Sequence, residues 1–261
     1  MSEELLRENE NGVLTLTLNR PQRRNALSPF LYQELRKALE DASVSASVGV
    51  VIITGAGNSF CSGGDVARMA GAVTEQRSIE ERIATLRGRM RISELLHEMD
   101  KPTIAMIRGA AVGAGLSIAL ACDMRFGDAT AKLSTGFINV GLPGDFGGHY
   151  FLQRIVGVAK ARELYLTSPM LNAEQAVRIG LLNDVLPEEE LTVYVKSIAA
   201  ALADGPRTAI SYMKKNLNLA EHASLQDTLD AEAMRHVRCV DTEDHRKLVK
   251  AMAEKRASLP R

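Results

Sequence analysis

Lys101-Pro102-Thr103-Ile104-Ala105-Met106-Ile107-Arg108-Gly109-Ala110-Ala111-Val112-Gly113-Ala114-Gly115-Leu116-Ser117-Ile118-Ala119-Leu120-Ala121-Cys122-Asp123 changes character twice along its length. Thr103 to Ile107 is a short apolar run suited to a buried strand. Gly109 to Gly115 is a glycine-punctuated loop, and Leu116 to Cys122 reads as a buried helix. Asp123-Met124-Arg125-Phe126-Gly127 then resumes strand. Strand, loop, helix and strand in this order mark an α/β chain. The loop has two readings: tight packing of helix on strand, or an anion held by unsatisfied amides at the positive end of the helix. Gly109, Gly113 and Gly115 do not space as G-x-G-x-x-G and no Walker lysine follows, so dinucleotide and P-loop readings both fail.

Upstream, Val48 to Ile53 is a second buried strand, bounded by Gly55 and Gly57, and Asn58-Ser59-Phe60-Cys61-Ser62-Gly63-Gly64-Asp65 follows it. That segment is either a simple glycine turn or a place where small residues let a ligand reach backbone N–H groups. Val13 to Leu18 alternates as a strand and stops at Asn19-Arg20-Pro21. Ser28-Pro29 opens a helix, with Leu31, Leu35 and Leu39 at helical spacing behind an N-cap serine and a proline in the first turn. Gly63 to Met90, charged and weakly periodic, predicts a mobile helical flap of the kind that covers active sites.

After Asp145-Phe146-Gly147-Gly148 the pattern predicts an almost wholly helical chain, near 149–156, 158–166, 173–179, 188–203, 207–219 and 224–254, with Gly205-Pro206 as the clearest joint. Helices past that joint carry apolar faces with little core of their own to cover, so another subunit is the expected partner.

The 261 residues balance 32 Lys+Arg against 32 Asp+Glu. Zero net charge offers no bulk positive field for nucleic acid or acidic membrane. The 3 cysteines form no CxxC pair and no Cys/His cluster, which argues against a disulfide framework and a metal site. No apolar run reaches the roughly 18 residues of a membrane span, and the polar, acidic start MSEELLRENENG lacks the pattern of a signal peptide. A cytoplasmic protein is expected.

Taken together, Leu18-Asn19-Arg20-Pro21 with Arg24-Asn25-Ala26-Leu27, Ser59 through Asp65, Lys101 through Ala105, Gly113 through Ala119, Cys122-Asp123, Gly141-Leu142, and Ala176 with Gly180-Leu181 resemble the crotonase (enoyl-CoA hydratase/isomerase) superfamily. The resemblance implies an α/β spiral of strand–strand–helix units over residues 1–204 and a helical trimerisation region over 205–261, assembled as a homotrimer or hexamer. It implies an acyl-CoA substrate whose thioester oxygen is clamped by two backbone amides, placed by position at Ser62 and Ala114. Arg24, Asn25, Ala26, Ser62, Gly63, Gly64, Asp65 and Ala114 fall where the family lines its CoA channel. No cofactor beyond the substrate's coenzyme A is implied.

The resemblance also departs from the usual hydratase. Such an enzyme would carry glutamates at the positions of Ser117 and Phe137, and neither residue here shuttles a proton at neutral pH. Asp145 lies where dienoyl-CoA isomerases, the phenylacetate-pathway ring-opening isomerase and the chlorobenzoyl-CoA dehalogenase carry a catalytic aspartate. One carboxylate suffices for a 1,3-proton shift, so isomerisation with Asp145 as acid/base is the expectation. Read without the family, Asp145 caps the helix that follows it. The rivals are a hydratase using Asp145 and bound water, a dehalogenase or hydrolase with a nucleophilic Asp145, and an AU-rich RNA-binding homologue. His149 reads as a partly exposed helix residue, His97 as a surface position, and His222, His236 and His245 as solvated.

Overall fold

The structure, a computed structural model, describes residues 3–65 and 77–257. Asn11 and Gly12 both have positive φ, 50° and 82°, as a tight hairpin turn requires. They join β1 (Leu5–Glu10) to β2 (Val13–Leu18), antiparallel with Leu5 opposite Leu18. The first of these strands escaped the sequence reading, although Asn-Gly between two strand-length runs is its signal. α1 (Pro29–Val44) starts as predicted: Ser28 accepts the Leu31 N–H at 3.0 Å, and Leu31, Leu35 and Leu39 are buried.

β3 (Val50–Gly55) and β4 (Ser59–Cys61), β5 (Thr103–Ile107) and β6 (Ala110–Val112), and β7 (Met124–Asp128) and β8 (Lys132–Ser134) form three successive strand pairs. Each pair gives one strand to each of two sheets. The six-stranded sheet runs β1-β2-β3-β5-β7-β10, ending on β10 (Asp184–Leu186), and the four-stranded one runs β4-β6-β8-β9, ending on β9 (Leu171–Asn172). Neighbours within these repeats are parallel, with Val51 beside Thr103, Ile104 beside Met124, and Ala110 beside Lys132. This repetition is the predicted spiral. β6 corrects the sequence reading, which had only loop from Gly109 to Gly115.

β3 is buried on both faces. Val51 and Ile53 join the main core with Leu31 and Leu35 of α1. Val50 and Ile52 face a second core built on Leu191, Val195, Ala199 and Ala203, one stripe of the helix Glu188–Ala203. The remaining helices are α2 (Ile79–Arg89), α3 (Arg91–Glu98), α4 (Ala114–Leu120), α5 (Gly148–Val156), α6 (Val158–Thr167), α7 (Ala173–Arg178), α8 (the stripe-bearing Glu188–Ala203), α9 (Arg207–Ala220), α10 (Leu225–Val240) and α11 (Glu243–Ala257). Within the expected flap, α2 is helical as foreseen, and residues 66–76 lie outside the described residues.

Two expectations about the C-terminal half change. β9 and β10 interrupt the run that read as helical, and the predicted helix 224–254 breaks at Asp241-Thr242, where the Thr242 hydroxyl accepts the His245 N–H at 3.2 Å. Moreover, α9 is not detached from the strand-rich part. Its Lys214 is 6% exposed and donates to Leu96 O at 2.8 Å, Lys101 O at 3.1 Å and the Asp123 carboxylate at 2.9 Å. Asp123 also accepts the Thr103 N–H and hydroxyl at 2.7 and 3.0 Å. The joint at residue 205 therefore bends the chain without ending its packing on the core. Past α9, Leu225, Leu229, Val237, Leu248, Val249 and Met252 are exposed. Among the described residues no helix is long and apolar enough to cross a membrane.

Candidate active site

Gly113 has φ 57° and ψ −126°, a combination that side-chain-bearing residues avoid. It turns β6 directly into α4. The Gly113 carbonyl accepts the Ser117 N–H at 3.0 Å, the first bond of the helix, so the Ala114 N–H has no acceptor within it. Gly115 lets α4 press against β4, because a Cβ there would stand 2.3 Å from Cys61 O. Gly63, with φ 86°, brings the second loop alongside: a Cβ on it would lie 2.7 Å from Val112 O and 3.3 Å from Ala114 N. The two loops singled out in the sequence thus meet at the Ala114 amide.

The second loop's own hydrogen bonds occupy the amide expected to bind the thioester oxygen. The Ser62 N–H donates to Arg24 O at 3.0 Å and is not available to a ligand. The Gly63 N–H lies close enough to the Cys61 sulfur to lower its pKa against the rise from burial, and Gly63 O accepts the Leu27 N–H at 2.9 Å. The Gly64 N–H makes no hydrogen bond among the described residues. Two free amides, Gly64 and Ala114, therefore flank the junction, and Ser62 serves the loop's own structure.

The other expected channel residues divide. Arg24 is exposed at φ 49°. Asn25, at φ 56°, is fully buried. It accepts the Arg20 N–H at 2.9 Å and donates to Ala56 O at 2.9 Å and Ser59 O at 2.7 Å. Its side chain is a strut between loops. Ala26 is buried at 6% exposure. Asp65 pairs with Arg20 at 3.4 Å, and Arg20 also meets Glu4 at 3.1 Å and the Ala26 carbonyl.

Asp145 sits on a turn formed by Gly144, Phe146 and Gly147, all at positive φ. It does not cap α5, whose N-cap is Gly147 with no side-chain bond; only the Asp145 carbonyl is used, accepting the Gly148 N–H at 3.1 Å. The carboxyl oxygen Oδ1 is buried with no hydrogen-bond partner. Burial pushes its pKa up to about 6. Phe146, fully buried, anchors the turn by stacking on Tyr32 of α1 at 5.5 Å and 9°. Burial and the nearby Asp145 charge push the Tyr32 phenol well above its ordinary range.

Tyr165 of α6 was invisible to sequence reasoning. Its hydroxyl lies near Ser117 Oγ, both beside Gly148, and burial, with the Asp145 charge adding, raises its pKa to about 12 although Ser117 lowers it. Its ring lies parallel to Phe137 at 6.3 Å and 7° and to His149 at 4.0 Å and 14°. Ser117 is 2% exposed and donates to Gly113 O at 3.3 Å. His149 is exposed, and so are His222 and His236. His97 is not the expected surface residue: it is partly buried edge-on to Phe151 at 5.3 Å, and burial lowers its pKa. No group of three or more His, Cys, Asp or Glu side chains among the described residues could hold a metal ion.

Two unspent amides at the loop junction, with a desolvated carboxyl on the turn that packs by Gly148 against Ser117 of α4, suit stabilising an oxyanion while moving a proton. Residues 8–259 match the enoyl-CoA hydratase/isomerase family model, and the chain belongs to that family, within the crotonase superfamily. It is 32% identical over 250 residues to the short-chain-enoyl-CoA hydratase of Clostridium acetobutylicum, covering 95% of this chain and 94% of that one. It is also 32% identical over 262 residues to the 1,2-epoxyphenylacetyl-CoA isomerase of Escherichia coli, covering 98% of each. Among solved structures, an enoyl-CoA hydratase from Polaromonas superposes with a TM-score of 0.90 at 30% identity, over 96% of this chain and 97% of that one.

Proposed function

We propose that this protein shifts a double bond, or opens a strained ring, in an unsaturated acyl-CoA by way of an enolate. Asp145 as carboxylate takes a proton from one carbon, and the C–H electron pair moves into the conjugated system onto the thioester oxygen. The protonated Asp145 then returns the proton to a second carbon, and the enolate electrons re-form the carbonyl with the double bond displaced. Atoms and charge balance without a metal or redox cofactor. The Gly64 and Ala114 N–H groups hold the oxygen as its charge builds, each contributing about 3 kcal/mol. Arg24, Ala26 and the Gly63–Asp65 loop border the path for coenzyme A.

The observation that carries this reading is the buried Asp145 Oδ1 with no partner. A carboxyl raised to about 6 is ionised yet weakly solvated at neutral pH, which suits reversible proton transfer. Near Asp145 the polar groups are the hydroxyls of Ser117, Tyr32 and Tyr165 and the exposed imidazole of His149, stacked on Tyr165. Similarity to the E. coli isomerase agrees with it, while similarity to the C. acetobutylicum hydratase supports the rival in which Asp145 activates water. Three free cysteines fit a reducing, cytoplasmic setting, and the exposed apolar residues of α10 and α11 fit a trimer or hexamer.

Incubation with 3-enoyl-CoA and 2-enoyl-CoA, followed by mass spectrometry, separates the readings. Positional isomers without mass change are expected. A product heavier by one water as the main species would contradict isomerisation, and a covalent acyl-enzyme adduct would show Asp145 to be a nucleophile. Tight binding of AU-rich RNA with no thioester turnover would remove the enzyme reading altogether.

A further inference from the structure

We propose that Tyr165 is a positioning residue for this reaction: its hydroxyl, set beside Ser117 and Gly148, holds the acyl chain beyond the α-carbon against Asp145. The inference rests on the reading of Asp145 as the acid/base. Ser117 lies one helical turn past Ala114 on α4, roughly 5 Å along the helix axis. An acyl chain whose thioester oxygen sits at the Ala114 amide therefore extends past Ser117 to reach its more distant carbons.

Tyr165 comes to this point from α6. A Cβ built on Gly148 would lie 2.3 Å from the Tyr165 hydroxyl oxygen and 2.5 Å from Ser117 Oγ, so both oxygens meet at a spot kept open by the missing side chain. Phe137 and His149 both lie parallel to the ring and fix its plane. Asp145 is close enough for its charge to act on the phenol, yet Oδ1 remains without a partner. The hydroxyl is thus not consumed in tethering the carboxyl. With its pKa raised to about 12, the phenol stays neutral through the neutral pH range in which Asp145 is ionised.

A purely structural tyrosine would affect all steps alike, whereas a positioning one affects the step at the distant carbon. With 3-enoyl-CoA in deuterated water, exchange of the α-proton reports enolate formation, and conversion to 2-enoyl-CoA reports delivery of the proton to the γ-carbon. Tyr165→Phe is expected to keep α-proton exchange near the wild-type rate while conversion falls roughly tenfold or more, with KM little changed. Ser117→Ala should move the ratio of conversion to exchange in the same direction by a smaller factor. An unchanged ratio in Tyr165→Phe, whether both rates hold or both fall together, would overturn the proposal. Asp145→Asn in the same assay keeps the two readings apart. If it loses both rates and the Tyr165→Phe ratio is unchanged, only the role of Tyr165 fails; if it retains both, the reading of Asp145 fails with it.

Discussion

At Asp145 the fold keeps a carboxyl whose ionisation it disfavours, and function and stability pull in opposite directions there. The folded pKa, about 6, stands above the ordinary 3.8. The neutral form is therefore the better tolerated one, and its stabilisation is complete below pH 3.8 and lost as pH rises through 6. Asp145→Asn is expected to raise stability at about pH 8 by up to about 3 kcal/mol and to leave it nearly unchanged at about pH 3, as urea unfolding at the two pH values would show. Wild-type turnover should move the other way, rising through about pH 6 as the base ionises. The choice between Ser62 and Gly64 belongs to the same scale. Residue spacing located the loop, but only the carbonyl of Arg24 on the Ser62 N–H decides which amide is free. At Asn25 the side chain's three bonds to backbone, two of them more than thirty residues away, leave no trace in local sequence.

Elements whose signals are local were legible. Ser28-Pro29 starts α1, the apolar run Val48–Ile53 becomes β3, and Thr103–Ile107 becomes β5, because caps and periodicity are properties of neighbouring residues. Elements defined by distant partners were not. β6 is strand only because β4 and β8 pair with it, and α9 docks through Lys214 onto Asp123, a pair separated by 91 residues. Lys214 and Lys215 are adjacent in sequence yet differ in kind: Lys215 meets Asp100 with its side chain 38% exposed, against 7% for Lys214. Lys214→Ala leaves two carbonyls and a carboxylate short of a donor, and should cost about 3 kcal/mol in urea unfolding. Lys215→Ala should stay within about 1 kcal/mol. Equal effects would show that α9 is not fixed to the core by this buried cation.

At the scale of the whole molecule, three strand pairs feeding two sheets place the loops after β4 and β6 side by side, and the turn before α5 brings Asp145 to them. Apolar residues such as Leu225, Leu248 and Val249 of α10 and α11 are exposed, so the intact protein is expected to sediment as a trimer or hexamer at micromolar concentration, and truncation after Ala220, which keeps Lys214 on the core, should abolish that assembly. A monomer in sedimentation velocity would contradict it. The central claim, that a single carboxyl moves the proton, is tested most directly by α-proton exchange of an enoyl-CoA in deuterated water with Asp145→Asn. The asparagine keeps the shape and removes the base. Exchange should fall by about 10² to 10⁴ while thioester affinity, measured by calorimetry, is retained. Exchange within tenfold of wild type would contradict the account and place the chemistry on another group.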